Sequence, residues 1–248
     1  MNTQTIHSAL VKAKSSGKKQ LAVLIDPDKP DMHLLDAQIE AVNHAQVDLV
    51  FFGGSLLTRF HLDEKLDYIK ARTEAKIVLF PGSVQQVSPK ADAILFLSLI
   101  SGRNPELLIG QHVLAAPMIK QCGLEALSTG YMLVDGGAPT TASYISGSLP
   151  IPANKPDIAA VTALAGTMLG LQHIYMDAGS GAINAISPEM ISAVSREVNV
   201  PLIVGGGIRG ADEAIERAEA GADVIVVGNM TEKQPLIITE IAAALRNL

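Results

Sequence analysis

The sequence has no tryptophan and a single cysteine, and its rings are few: four Tyr and five Phe in 248 residues. A lone Cys122 excludes an internal disulfide and a cysteine-based zinc site, and it suits a reducing cytosol. With 19 Lys and Arg against 25 Asp and Glu, the net charge is −6. A mildly acidic, ring-poor chain is a poor partner for nucleic acid. Met1–Lys19 is polar and lacks the apolar stretch of a secretory signal, so a cytoplasmic location is expected. Residues 158–176 carry no formal charge and approach the length of a membrane span. They contain Gly166, Gly170, Gln172 and His173 around a middle of Ala and Thr, and read better as a buried helix followed by a strand. What is abundant is apolar: 48% of residues are hydrophobic and 18% charged, enough for a sizeable core and incompatible with general disorder.

Short β-branched and apolar runs recur along the chain, near 21–25, 47–52, 76–80, 93–97, 130–134, 173–176, 200–204 and 223–227. Runs that are apolar on both faces belong to parallel strands covered on each side. Helical patterns lie between most of them. Leu35, Ile39 and Val42 share a face between Asp31 and Ala45. Ser187-Pro188-Glu189 reads as a cap, a first-turn proline and an acid, before Ile191, Val194 and Val198. Residues 211–220 form a further helix closed by Gly221.

Eight such units in one domain, 1–248, match a (β/α)8 TIM barrel, with an open doubly wound sheet as the alternative. Pro81 to Asp92 is too short for a full crossover and contains Pro89, so the third helix is expected to be absent or reduced to a turn. Residues 135–157, rich in Gly, Pro, Ser and Thr, read as a long loop or extension.

In a barrel, chemistry sits where strands end. Strand one ends in Asp26-Pro27-Asp28-Lys29 and strand two in Gly53-Gly54-Ser55. Strand six ends in Asp177-Ala178-Gly179-Ser180-Gly181, strand seven in Gly205-Gly206-Gly207, and strand eight in Gly228-Asn229. Glycines at the last two ends let backbone amides approach an anion, and their joint position favours a phosphate site over plain tight turns. Ser180 extends that surface. Tyr175 and Asp177 alternate with Met176 and so share one side of the strand, where the carboxylate could take a proton from a substrate hydroxyl. Asp26 and Asp28, with Ser55 on the next strand, offer hard oxygens for magnesium, although two acids at one turn also occur in ordinary loops. The six histidines, His7, His33, His44, His61, His112 and His173, form no visible metal site or triad.

Several motifs occur in order: Leu24 to Lys29 (LIDPDK), Phe52 to Ser55 (FGGS), Ile100 to Glu106 (ISGRNPE), Lys155 to Ala160 (KPDIAA), Tyr175 to Ala182 (YMDAGSGA), Val204 to Arg209 (VGGGIR) and Val227-Gly228-Asn229. Together they resemble the geranylgeranylglyceryl phosphate synthase and heptaprenylglyceryl phosphate synthase family, in its larger subgroup with archaeal and Bacteroidetes-type members. The resemblance spans nearly the whole chain. It implies a modified barrel lacking its third helix, and transfer of a geranylgeranyl or related polyprenyl group from its diphosphate to the C3 hydroxyl of sn-glycerol 1-phosphate. It further implies a magnesium ion on Asp26 and Ser55, and glycerol 1-phosphate held by Tyr175, Met176, Asp177, Ala178, Gly179, Ser180, Gly181, Gly206, Gly207, Gly228 and Asn229. Asp177 stands where the family usually has Glu, and is the expected base. Residues 136–150 depart from the family pattern.

Leu97, Leu99, Ile100, Leu107, Leu108 and Ile109 are the residues available to line a prenyl trough, although most would equally serve as core. Ile158–Leu169, with Asp157 as its expected N-cap, is apolar nearly all round. Its far face needs a cover, either the 136–154 segment or a second subunit, with Ala160 and Ala163 as exposed candidates. The family resemblance implies a homo-oligomer, dimer or hexamer. Two other readings stay open: a phosphosugar isomerase, epimerase or lyase on the same kind of barrel, and a non-catalytic phosphate-binding module.

Overall fold

The computed structural model describes residues 5–29, 31–59 and 61–248. The first four residues of the polar amino terminus lie outside them. Eight parallel strands close into a barrel in sequence order, with β1 paired to both β2 and β8. They are β1 (Gln20–Ile25), β2 (Leu49–Phe52), β3 (Lys76–Leu79), β4 (Ala93–Leu99), β5 (Glu125–Leu133), β6 (His173–Asp177), β7 (Leu202–Gly205) and β8 (Val224–Val227).

The helices are α1 (Ile6–Ser15), α2 (Met32–His44), α3 (Leu62–Lys70), α4 (Gln111–Cys122), α5 (Thr141–Ser146), α6 (Pro156–Met168), α7 (Pro188–Glu197), α8 (Ala211–Glu219), α9 (Asn229–Lys233) and α10 (Ile237–Leu245). Between β3 and β4 there is only a 3-10 turn, Val84–Gln86, so the missing third crossover helix is observed. Asp31 and Ser187 cap α2 and α7 through their side chains as their positions suggest.

Strand residues alternate between two apolar layers. Phe51, Leu95, Leu127, Tyr131, Tyr175, Ile203 and Val226 point into the barrel, while Phe52, Ile94, Met132, Met176, Val204 and Val227 pack under the helices. The N-terminal pole is closed by α1, whose Ile6 and Leu10 join the interior layer. The Glu125 carboxylate accepts the amides of Ile6 (2.8 Å) and His7 (2.9 Å), an acid placed at the positive end of a helix.

Three expectations need correction. β5 begins five residues earlier than the apolar run at 130–134, because Ser128 and Thr129 conceal its start; Thr129 is fully buried with its hydroxyl bonded to the Leu127 carbonyl. α6 starts at Pro156, so Asp157 lies within its first turn and is not its N-cap. Ala160 and Ala163 are buried, with α6 packed on α7, whereas Ile158, Val161, Met168 and Leu169 are exposed. The 136–154 segment, which contains α5, therefore does not cover that outer face. Among the described residues no helix is long and apolar enough to cross a membrane, and 158–176 resolves into most of α6 followed by β6.

Candidate active site

A cavity of about 660 Å³ opens at the C-terminal ends of the strands. Of the residues singled out in the sequence, Asp26, Ser55, Tyr175, Asp177, Gly179, Ser180, Gly181, Gly206, Gly207, Gly228 and Asn229 all line it. Met176 and Ala178 do not. Met176 points into the layer beneath the helices, and the Ala178 amide is spent on the Gly205 carbonyl.

The rim is built from backbone. Gly206 has φ +83°, and a Cβ there would lie 2.6 Å from the Gly179 nitrogen and 2.7 Å from Asp177 Oδ1. The turns after β6 and β7 are thus pressed together, and only glycine allows it. Gly228 differs: its φ is negative and its nearest neighbours, Leu24 side-chain atoms, stand 3.5 Å or more from a Cβ position. Ser180 donates to Asn229 Oδ1 (2.9 Å), joining the exits of β6 and β8. The Arg209 guanidinium donates to the carbonyls of Ala182 (3.2 Å) and Ile183 (2.7 Å) and braces the loop after β6.

Asp177 sits beneath this rim, 7% exposed. Tyr131 donates its phenol to Oδ2 (2.6 Å), and the Gly179 amide donates to Oδ1 (2.7 Å). Burial pushes the Asp177 carboxyl above the usual carboxylate range, against the opposing effect of those two bonds. Burial first, and the neighbouring carboxylate second, hold the phenols of Tyr131 and Tyr175 well above their ordinary value, so both keep their protons. The scarce aromatics gather here. Phe80 stacks on Tyr175 (5.3 Å between centroids) and meets Tyr131 edge-on (5.8 Å), while Tyr131 and Tyr175 are edge-on at 5.4 Å.

Asp26 faces the cavity from the β1 exit, with Oδ1 accepting the Asp28 amide (2.9 Å). Burial pushes its carboxyl above the usual carboxylate range, against the Asp28 amide and the nearby Lys29 and Lys65, which lower it. A single carboxylate with the Ser55 hydroxyl on the next strand exit suits magnesium, which uses few protein ligands and keeps waters and substrate phosphate oxygens. Among the described residues there is no group of three His, Cys, Asp or Glu side chains that could hold a metal ion. Asp28 is turned away, its carboxylate accepting from the amide and hydroxyl of Thr58. Gly53-Gly54 is held by Gln86 of the 3-10 turn, whose amide nitrogen donates to the Gly54 carbonyl (2.8 Å).

An apolar arm leaves the cavity through the gap where the third helix is missing. Val84, Val87, Phe96, Ala115 and Ile119, which belong to the layer beneath the helices, line it together with His112. Of the six apolar residues named for a trough, Leu97, Leu99 and Leu107 line the cavity from the barrel interior and not the arm, and Leu108 does not line the cavity. Ile100 instead fills the notch left by Gly130 and Gly166, and Ile109 is exposed. Sequence reasoning missed Tyr131, Gln86 and His112. No local motif marks any of them; the only signal for Tyr131 is the register that sets it beside Tyr175 across β5 and β6.

Comparison with known proteins agrees with this geometry. The PcrB family model matches residues 15–245. A geranylgeranylglyceryl phosphate synthase of Chitinophaga pinensis is 55% identical over 96% of this chain and 95% of its own length. One of Pyrococcus abyssi is 40% identical over 88% of this chain and 86% of its own. Among solved structures, (S)-3-O-geranylgeranylglyceryl phosphate synthase from Thermoplasma acidophilum, in complex with sn-glycerol-1-phosphate, superposes with a TM-score of 0.91 at 31% identity. That match covers 99% of this chain and all of the other. With a glycine rim, a buried carboxylate and a helix-deficient barrel already in view, the match over nearly the whole length settles the family: the chain belongs to the PcrB family.

Proposed function

We infer that the chain is a prenyltransferase that moves a geranylgeranyl or related polyprenyl group from its diphosphate to the C3 hydroxyl of sn-glycerol 1-phosphate. The observation that carries this reading is the position of Asp177, buried between a glycine-built anion rim and an apolar arm. A phosphosugar enzyme would use the rim and the carboxylate and leave the arm without a purpose.

The glycerol phosphate would rest on the amides of Ser180, Gly181, Gly206 and Gly207, with the Ser180 and Asn229 side chains beside it, while the Gly179 amide stays on Asp177. Its C3 hydroxyl would then reach Asp177. As the allylic C–O bond of the donor breaks, its electron pair stays on diphosphate. The C3 oxygen forms the new ether bond and its proton passes to Asp177. A carboxyl whose pKa burial has raised is a better base for that proton, and Tyr131 fixes its orientation. The rings of Phe80, Tyr131 and Tyr175 form a floor suited to the cationic carbon. Magnesium held by Asp26 and Ser55 would neutralise charge on the departing diphosphate. We also propose a homo-oligomer that covers the outer face of α6, and a cytoplasmic enzyme whose lone Cys122 stays reduced.

The test is incubation with radiolabelled sn-glycerol 1-phosphate and prenyl diphosphates of several lengths, with and without a chelator. Label should move into an organic-extractable product only with magnesium present. Absence of such product at every chain length overturns the reading, and full activity in chelator overturns the metal.

A further inference from the structure

We propose that Lys29 binds the diphosphate of the prenyl donor, and that Glu232 holds its ammonium until the anion arrives and reclaims it when diphosphate leaves. The inference rests on the prenyl-transfer reading above. Lys29 Nζ lies 3.2 Å from Glu232 Oε1, 3.4 Å from Asn229 Oδ1 and 3.9 Å from Asp26 Oδ2. It therefore stands between the carboxylate assigned to magnesium and the asparagine assigned to glycerol phosphate.

Glu232 is otherwise hard to explain. It is an acid on the wall of a cavity that must admit two anions, one of them a monoester with a charge of about −1.5 to −2 at neutral pH. The charged residues lining the cavity are Asp26, Asp177 and Glu232 against Lys29, Arg209 and Lys233, so they cancel before any substrate enters. Beyond the magnesium proposed on Asp26 and Ser55, a lining cation that changes partner would favour the entry of both anions. Arg209 is committed to the carbonyls of Ala182 and Ile183, and Lys233 is exposed at the end of α9. Lys29 is the lining cation with contacts to both proposed sites. Its side chain is 39% exposed and that of Glu232 23%, so the pair can open without a large desolvation cost. A flexible stem with a compact charge suits a group that must swing between a carboxylate and a phosphate oxygen.

Such a pair makes predictions of opposite sign. Lys29→Met should weaken binding of inorganic diphosphate, measured calorimetrically with magnesium, by about tenfold or more, the scale of one charge-assisted contact. Glycerol 1-phosphate affinity should change by less than about threefold, because only the distant Asn229 contact is lost. Lys29→Arg should retain most of the diphosphate affinity. Glu232→Gln should tighten diphosphate binding and make it a stronger product inhibitor, since its competitor for the ammonium is gone. If Lys29→Met and Glu232→Gln weaken both ligands in parallel, the pair is a structural brace and the proposal falls. It also falls if Lys29→Met binds diphosphate as the wild type does while the wild type makes product. A wild type that binds diphosphate through Lys29 but transfers no prenyl group overturns the functional reading instead, and leaves the diphosphate site standing.

Discussion

β6 is five residues long and carries a buried titratable side chain at each end. His173 opens it at the closed pole of the barrel, with Nε2 3.2 Å from His7 Nδ1 and Nδ1 3.2 Å from the Ser128 carbonyl. Asp177 ends it at the open pole, under Tyr131 and the Gly179 amide. Burial acts on both in the same sense, toward the neutral form, and so lowers the histidine to about 4 and raises the aspartate. At neutral pH the consequences diverge. His173 is already neutral and costs the fold nothing, whereas Asp177, as the base proposed above, has to be ionised to accept a proton, and burying that charge opposes folding. On the function proposed above, one strand separates a group placed for stability from one placed for chemistry, in line with the division of labour between barrel ends.

The largest effect expected on that contrast is at the active end. Asp177→Asn should cut turnover by about 10² to 10⁴, the usual contribution of a general base. Its carbonyl can still accept from the Gly179 amide and its NH2 can donate to the Tyr131 oxygen, so both local bonds survive. Because the folded-state pKa of Asp177 is raised, its contribution to stability is present at low pH and lost as pH rises through that value. The variant should therefore unfold at neutral pH no more easily than the wild type, and preferably at a higher temperature. A clear loss of thermal stability in Asp177→Asn would break the comparison.

At the other end the sign reverses. A histidine lowered from 6.5 to about 4 contributes stability that is full above pH 6.5 and is lost as pH falls from 6.5 toward 4, up to about 3 kcal/mol. Urea unfolding across that window should show the slope, and His173→Gln should flatten it while leaving turnover at neutral pH unchanged.

The two poles also differ in how far they could be read from the sequence. Asp26, Ser55, Asp177, Gly206 and Asn229 were legible because a barrel brings every strand exit to one mouth, so naming the exits nearly names the site. The short Pro81–Asp92 gap likewise announced the missing helix. Tyr131 was not legible, since its role depends on the β5–β6 register that places it across from Tyr175. Neither was the Lys29–Glu232 pair, brought together only by closure of β8 onto β1. The latch of Glu125 on α1 was hidden for the same reason: partners far apart in sequence leave no local trace.

Within the open pole, two glycines that look alike in sequence should behave differently. Gly206→Ala places a methyl group within 2.7 Å of backbone and of Asp177 at a positive φ, so both folding stability and glycerol 1-phosphate binding should suffer. Gly228→Ala meets only ordinary contacts on the protein side. It should raise the KM for glycerol 1-phosphate several-fold, through the cavity side alone, and leave the free energy of unfolding within about 0.5 kcal/mol of wild type. Equal loss of stability in both variants would show that Gly228 is a turn residue and not part of the phosphate surface.

The smallest effect on the monomer, and the most telling about its surroundings, belongs to the helix that leads into β6. α8 shows what an outer helix ordinarily needs: Ala214 and Ala218 face the barrel and Asp212, Glu213, Glu216 and Arg217 share the rest of its surface. α6 has the same small-residue inner face, Ala159, Ala163 and Gly166, but turns Ile158, Val161 and Met168 outward, followed by Leu169. Exposed apolar residues at helical spacing are tolerated singly, whereas a continuous stripe calls for a cover. The chain's own 136–154 segment does not provide it, and a second copy is the cover proposed above. Val161→Lys with Met168→Lys should therefore change the stability of an isolated subunit by only about 0.5 kcal/mol, as for most surface substitutions. The same pair should dissociate the oligomer in light scattering. Ala160→Glu or Ala163→Glu would not test this, because both positions are buried and a charge there would disrupt the packing on α7. A wild type that scatters as a monomer at working concentration removes the interface altogether. An oligomer that survives the double substitution places its contacts on another helix, with α4 next in line because Val113, Leu114 and Met118 are exposed on it.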